Sequence, residues 1–280
     1  MRRFTTSAGT DRRRLAVLLL AELICALLLV GRPAAASPPV AAPQAKPAVS
    51  SAPAGLSSVA STPLTLRDGR NVDLIGMGGQ QSAPLLARIG REIDDAAEAV
   101  TAFWGPDWRR DIVVVAVGSD DQFRVLAGGG SDIAAATTAD RMVFAPGAAA
   151  MSDAALRIVV RHELFHYAAR AETAADAPRW LTEGVADFVG RPPTPPPPGA
   201  VAQLPTDTDL DTAGPVRSLA YDRAWWFARF VADRYGAPAL RALYVRACAP
   251  GHADVAVALR ETLGADPDEV LSQWRQWLAG

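Results

Sequence analysis

The segment Arg161-His162-Glu163-Leu164-Phe165-His166-Tyr167 places two imidazoles four residues apart. On a helix that spacing projects both rings from one face, one turn apart, where they can reach a single ion. Glu163 stands beside the first of them, so its carboxylate can take a proton from a metal-held water without completing the metal's shell. Catalytic zinc needs a third protein ligand and leaves the fourth position to water. The chain has three histidines, and the third, His252, follows Gly251 with no ligand-spaced group around it. Pro178-Arg179-Trp180-Leu181-Thr182-Glu183-Gly184-Val185-Ala186-Asp187 offers a better candidate. Here Glu183 and Asp187 share a helical face four apart, as the histidines do. Two antiparallel helices joined near Thr173 to Asp176 bring Glu183 opposite His162 and His166, with Gly184 letting the second helix close on the first. Asp187, one turn on, can accept the outer N–H of a ligand histidine and fix its tautomer.

Such a site needs rigid helices, and the flanking sequence supplies them. Ser152 is placed to cap the first helix, and Leu156, Ile158, Val159, Val160, Leu164 and Phe165 make it largely buried. Upstream, Leu64 to Ile75 has the alternation of one or two strands, and Ala83 to Phe103 the spacing of an amphipathic helix. Asp111 to Val117 reads as a strand, followed by a helix from Ser119 to Leu126. Ala134 to Pro146 reads as two short paired strands around Ala139-Asp140. Downstream, helices are expected over Pro238 to Ala247, His252 to Leu263 and Asp268 to Leu278, with Asp266-Pro267 starting the last. Arg191 to Pro215 contains Pro192-Pro193 and the run Pro195 to Pro198, which cannot sit inside a helix or a central strand. It reads as a disordered surface insertion. Sheet early and helices late predict an α+β fold in two lobes. Trp225, Trp226 and Phe227 are consecutive on a helix and read as core.

HELFH followed by WLTEGVAD resembles the gluzincin zinc metallopeptidases and, more closely, the small bacterial peptidase-MA-like domains. The resemblance implies a zincin-like two-lobed fold: a small mixed sheet, an active-site helix and a helical C-terminal lobe. It implies Zn2+ held by His162, His166 and Glu183, with Glu163 as general base and Asp187 orienting a ligand histidine. It also implies a peptide or protein substrate paired with an edge strand beside the metal, a role assigned to Met142 to Ala145 or else an internal strand there. Gluzincins carry a downstream oxyanion donor, and Tyr221 is similar in setting, ahead of Tyr167. The expected activity is hydrolysis of peptide bonds, by default as an endopeptidase. The rival expectation is a non-catalytic, zinc-stabilised binding module, which needs the three ligands but not Glu163.

The N-terminus sets the expected location. Arg2, Arg3 and Arg12 to Arg14 precede an apolar run from Leu15 to Val30, and Ala34-Ala35-Ala36 follows as a possible cleavage site. Residues 1–36 therefore read as a signal peptide or N-terminal membrane anchor, which makes the protein extracytoplasmic, secreted or membrane-associated. Residues 37–63 are rich in Pro, Ala and Ser and read as a linker, leaving 64–280 as the peptidase domain. The first 36 residues hold six Arg against two acidic residues, so the remainder has a formal charge of −6 and no basic excess for a nucleic-acid partner. Of two cysteines only Cys248 lies beyond residue 36, so no internal disulfide is expected there. The clusters Gly76-Met77-Gly78-Gly79 and Gly128-Gly129-Gly130 lack the context of a nucleotide site and read as turns.

Overall fold

The computed structural model describes residues 60–128, 130 and 132–280, all within one unit of the chain, Val59–Gly280. The export segment and most of the linker expected from the sequence lie outside the described residues. Five strands form one mixed sheet: β1 (Ala60–Thr65), β2 (Asn71–Gly76), β3 (Asp111–Ala116), β4 (Ala135–Thr137) and β5 (Met142–Phe144). Their order is β1-β2-β3-β5-β4. The two end pairs are antiparallel, and β2/β3 and β3/β5 are parallel. The last residues of the expected linker, 60–63, thus belong to the sheet. The order also decides between the two readings of Met142 to Ala145: β5 is flanked by β3 and β4, so that segment is internal, and β4 is the edge strand at this end of the sheet.

The two sheet faces are covered differently because strand side chains alternate. Ile112, Val114 and Ala116 point into the main core, whereas Val115 and Val117 join Phe123, Val143 and Ala145 in a smaller cluster. Phe123 comes from helix α2 (Asp120–Ala127), capped by Ser119, whose hydroxyl accepts from the Gln122 N–H. The main core lies between the sheet and α1 (Ala83–Trp104). That helix buries Leu85, Leu86, Ile89, Ile93, Ala96, Ala97, Val100 and Trp104, a stripe at three- and four-residue spacing.

The remaining chain is helical: α3 (Asp153–Ala169), α4 (Arg179–Gly190), α5 (Asp207–Asp211), α6 (Pro215–Tyr235), α7 (Ala237–Cys248), α8 (Val255–Leu263) and α9 (Pro267–Ala279). This is the α+β division of a two-lobed zincin-like fold, with α3 joining the sheet to the helical part. Trp225, Trp226 and Phe227 are all buried. Within the Pro-rich stretch, residues 207–211 form a helix with a complete capping box between Thr206 and Asp209 and a buried Leu210. The expectation of disorder throughout Arg191 to Pro215 is therefore corrected: proline exclusion governs its first half, and capping chemistry builds a helix in its second. Among the described residues no helix is long and apolar enough to cross a membrane.

Candidate metal centre

Helix α3 starts where the Ser152 hydroxyl accepts from the Ala155 N–H, and it buries Leu156, Val160, Leu164 and Phe165. Phe165 packs edge-on against Trp104 and Tyr244 at 5.6 and 5.4 Å between ring centroids. Those contacts fix the rotation of the helix, and the rotation sends His162 and His166 toward α4. A 3-10 turn at Arg170–Glu172 follows, and the chain returns as α4. The turn is tied down at both ends. Thr173 Oγ1 donates to the Ala169 carbonyl at 2.8 Å, and the Ala174 N–H donates to the Cys248 carbonyl at 2.7 Å.

Close packing of α4 depends on two glycines. A Cβ at Gly190 would come 3.0 Å from the Ile158 carbonyl oxygen of α3. A Cβ at Gly184 would come 2.4 Å from the Ala224 carbonyl oxygen of α6. The role expected of Gly184 thus falls to Gly190, one and a half turns later. Gly184 instead admits α6, because position 184 faces away from α3.

The hairpin of α3 and α4 brings three donors together. His162 Nε2 lies 3.2 Å and His166 Nε2 3.5 Å from Glu183 Oε2, and the two Nε2 atoms are 3.1 Å apart. Tetrahedral zinc with bonds of about 2.0–2.1 Å separates its ligand atoms by roughly 3.3 Å, so these three spacings suit one ion. Without a cation, two unshared imidazole nitrogens and a carboxylate would crowd each other in a largely buried place. The donor set, two nitrogens and one oxygen, is that of catalytic rather than structural zinc, because it leaves a fourth position open. This is a three-ligand zinc site.

No protein-family model matches the chain, and no curated protein sequence matches it. Among solved structures it is similar to aminopeptidase A of Legionella pneumophila, at 16% identity over 77% of this chain and 27% of that one, with a TM-score of 0.48. It is also similar to an M1 zinc metallopeptidase from Deinococcus radiodurans, at 15% identity over 79% of this chain and 51% of that one, with a TM-score of 0.46. The chain thus spans about a quarter to a half of the length of these proteins. At that level of likeness the ligand geometry, and not the relatives, carries the functional conclusion.

Around the ligands, a chain of polar groups holds the His162 ring in place. His162 Nδ1 is 2.9 Å from Asp187 Oδ1. The other Asp187 oxygen forms an ion pair with Arg191 at 2.8 Å, and Arg191 also donates to Asp222 at 2.7 Å. Burial pulls the His162 pKa down, but the Asp187 and Glu183 acceptors outweigh it and hold the imidazole well above its ordinary value. Burial likewise raises Glu183, yet the charge of His166 and the hydrogen bonds of both histidines leave its carboxyl well below the usual range. These directions describe the metal-free centre.

Glu163 is 7% exposed and stands outside the ligand set. Thr137 Oγ1, at the end of edge strand β4, contacts Glu163 Oε2 at 2.7 Å and the Glu163 carbonyl at 2.9 Å. Thr137 was not singled out from the sequence. A threonine closing a three-residue strand has no periodic or motif signal, and its contact spans 26 residues. Tyr221, on α6, reaches the centre across Gly184, with its ring 6.4 Å from that of His162. Burial, followed by the charges of Glu183, Asp187 and Glu163, pushes its phenol far above the ordinary value, so it stays a proton donor. Tyr167 is elsewhere: its hydroxyl donates to the Asp111 carbonyl at 2.7 Å, under the sheet. His252 is also remote, with Nδ1 3.0 Å from the Ala253 carbonyl. Cys248 is a buried free thiol, and burial pushes its pKa up to about 12, so it is inert. The ligands, Glu163, Thr137 and Tyr221 all line one cleft of about 330 Å³.

Proposed function

We propose that this protein is an extracytoplasmic zinc endopeptidase of the gluzincin kind, in the manner of the peptidase-MA-like domains. The observation that carries the reading is the position of Glu163: a buried carboxylate in the cleft beside three metal donors, bonded to Thr137 rather than to the cluster. A carboxylate is expensive to bury unless it is paired or has a proton to move. Bound zinc supplies Lewis acidity toward the scissile carbonyl and lowers the pKa of its water. Glu163 takes the proton of the attacking water and delivers it to the leaving amine. Thr137 holds that carboxylate in one orientation through the transfer. The Tyr221 hydroxyl donates to the oxyanion as its charge develops. Asp187, anchored by Arg191, keeps the proton of His162 on Nδ1 and turns Nε2 toward the metal. The free edge of β4 offers backbone groups to an extended peptide.

Endopeptidase action is supported by the cleft lining. Among the described residues its carboxylates are Glu163, assigned to the attacking water, and Glu183, a metal ligand, which leaves no further lining carboxylate for a free α-ammonium. The extracytoplasmic location is supported by the basic flank and apolar run of residues 1–36, and fractionation of the native host tests it.

The decisive experiment compares wild type with Glu163→Gln on a broad peptide library, with metal content measured on both. Both proteins are expected to hold about one zinc. The variant is expected to hydrolyse peptides at least about 100-fold more slowly, the contribution of a lost general base. Equal rates would show that Glu163 is not the base. No cleavage by zinc-loaded wild type would turn the reading to a metal-stabilised binding module.

A further inference from the structure

Two guanidinium groups line the cleft, and the hydrolytic chemistry uses neither. Arg170 stands one turn beyond His166, and Arg179 one turn before Glu183. The helices run antiparallel, so both arginines reach the same end of the hairpin, on one side of the ligands. One helical turn of four residues advances about 6 Å. An extended peptide covers that distance in about two residues. The segment carrying Arg170 is not loose, because Thr173 bonds both the Ala169 carbonyl and the Tyr244 hydroxyl at 2.8 Å.

Both charges are accessible to an incoming anion. The Arg170 side chain is exposed and makes no hydrogen bond or ion pair among the described residues. Arg179 is 3.0 Å from Asp211, with side chains 45% and 66% exposed. An exposed pair of that kind contributes little and exchanges readily for another carboxylate. α4 also begins at Arg179 without a side-chain cap, which adds the positive end of its dipole to the same corner. The opposing charges in the lining, Glu163 and Glu183, belong to the metal centre. The lining of the cleft is therefore cationic at that end, and Asp211, outside the lining, is the partner that an incoming carboxylate would replace on Arg179.

We infer that this end of the cleft selects substrates bearing a carboxylate about two residues from the scissile bond, gripped by Arg170 and Arg179. The carboxylate belongs to an acidic side chain or to a chain terminus, since both present the same planar acceptor to a guanidinium. The inference rests on the peptidase reading for its substrate and deepens it by naming the substrate class.

The test uses zinc-loaded full-length protein and peptides of one parent sequence with amidated ends, in which each position from three before to three after the bond carries Asp or Asn. A second set has the same peptides ending as free acid or as amide. At one position Asp is expected to raise kcat/KM about tenfold or more over Asn, the scale of a charge-assisted hydrogen bond. Preference within the first set identifies an acidic side chain, and preference confined to the second identifies a terminal carboxylate. Arg170→Ala with Arg179→Ala should collapse the Asp to Asn ratio toward unity, and R170E should invert it. Binding of the same pairs to zinc-loaded E163Q, followed by fluorescence anisotropy, reads the preference without hydrolysis. Cleavage with equal rates for Asp and Asn at every position, and for acid and amide ends, overturns the inference and leaves the peptidase standing. Acid-selective binding without cleavage by wild type upholds the cationic subsite and overturns the peptidase. Binding that ignores charge in E163Q overturns the subsite whatever the rates.

Discussion

Gly184→Ala would insert one methyl group between α4 and the backbone of α6, where its carbon would lie 2.4 Å from the Ala224 carbonyl oxygen and 2.7 Å from its carbon. An unstrained contact needs nearly 3.5 Å, so one helix must retreat by roughly 1 Å. Backbone cannot rotate away as a side chain can, which puts overpacking near the upper end of its usual range, about 3 kcal/mol. Alanine returns about 1 kcal/mol through its better helix propensity. The net loss of about 2 kcal/mol lowers Tm by about 4–8 °C for a domain of this size. The catalytic effect is larger. If α6 retreats it carries Tyr221 with it, and a misplacement of about 1 Å lowers kcat by about 10- to 100-fold. If α4 retreats it carries Glu183, and zinc affinity falls as well. Calorimetry, steady-state kinetics and zinc titration on one preparation separate the two. Adding Ala224→Gly should not rescue either loss, because the clash is with a carbonyl that every residue has. A G184A protein with wild-type Tm and kcat would refute the coupling between this contact and the position of Tyr221.

Tyr221→Phe should lower kcat by about 100-fold with little change in KM, as for one lost oxyanion donor, and stopped assays at saturating peptide measure it. Thr137→Val keeps the shape of the side chain but removes the donor to Glu163; kcat should fall about tenfold, and Thr137→Ser should restore most of it, whereas equal rates for Val and Ser would detach the hydroxyl from catalysis. Zinc binding should strengthen as pH rises through the ordinary histidine range and beyond. The His162 proton, held above its usual value by Asp187 and Glu183 against the effect of burial, must leave before the metal binds. Titration calorimetry in two buffers should find proton uptake by buffer accompanying zinc, and an affinity flat between pH 6 and 8 would contradict the raised value.

The metal ligands were legible in the sequence because their geometry is local. Four-residue spacing on a helix fixes the relation of His162 to His166 and of Glu183 to Asp187, and a short turn leaves the two helices few ways to meet. Capping signals at Ser119 and Ser152 marked helix starts for the same reason: the cap and its N–H lie within three residues. What was not legible is set by tertiary contact. Strand order decided that β4, not β5, is the edge, and strands of three residues are too short for alternation to tell which is internal. Gly184 and Gly190 lie on one helix, and only the placement of α3 and α6 tells which neighbour each admits. Thr137 and Arg191 act on groups that their own segments do not announce.

The ligands His162, His166 and Glu183 lie in two consecutive helices, whereas Thr137 comes from the sheet and Tyr221 from a later helix. Metal capture and bond cleavage therefore have different structural requirements. A chain whose sheet edge has frayed, or whose α6 has come away, still possesses a complete set of ligands but has an unoriented base or no oxyanion donor. On the proposed mechanism, such injury would extinguish hydrolysis before it released the ion, so a damaged copy would be inert and not an indiscriminate protease.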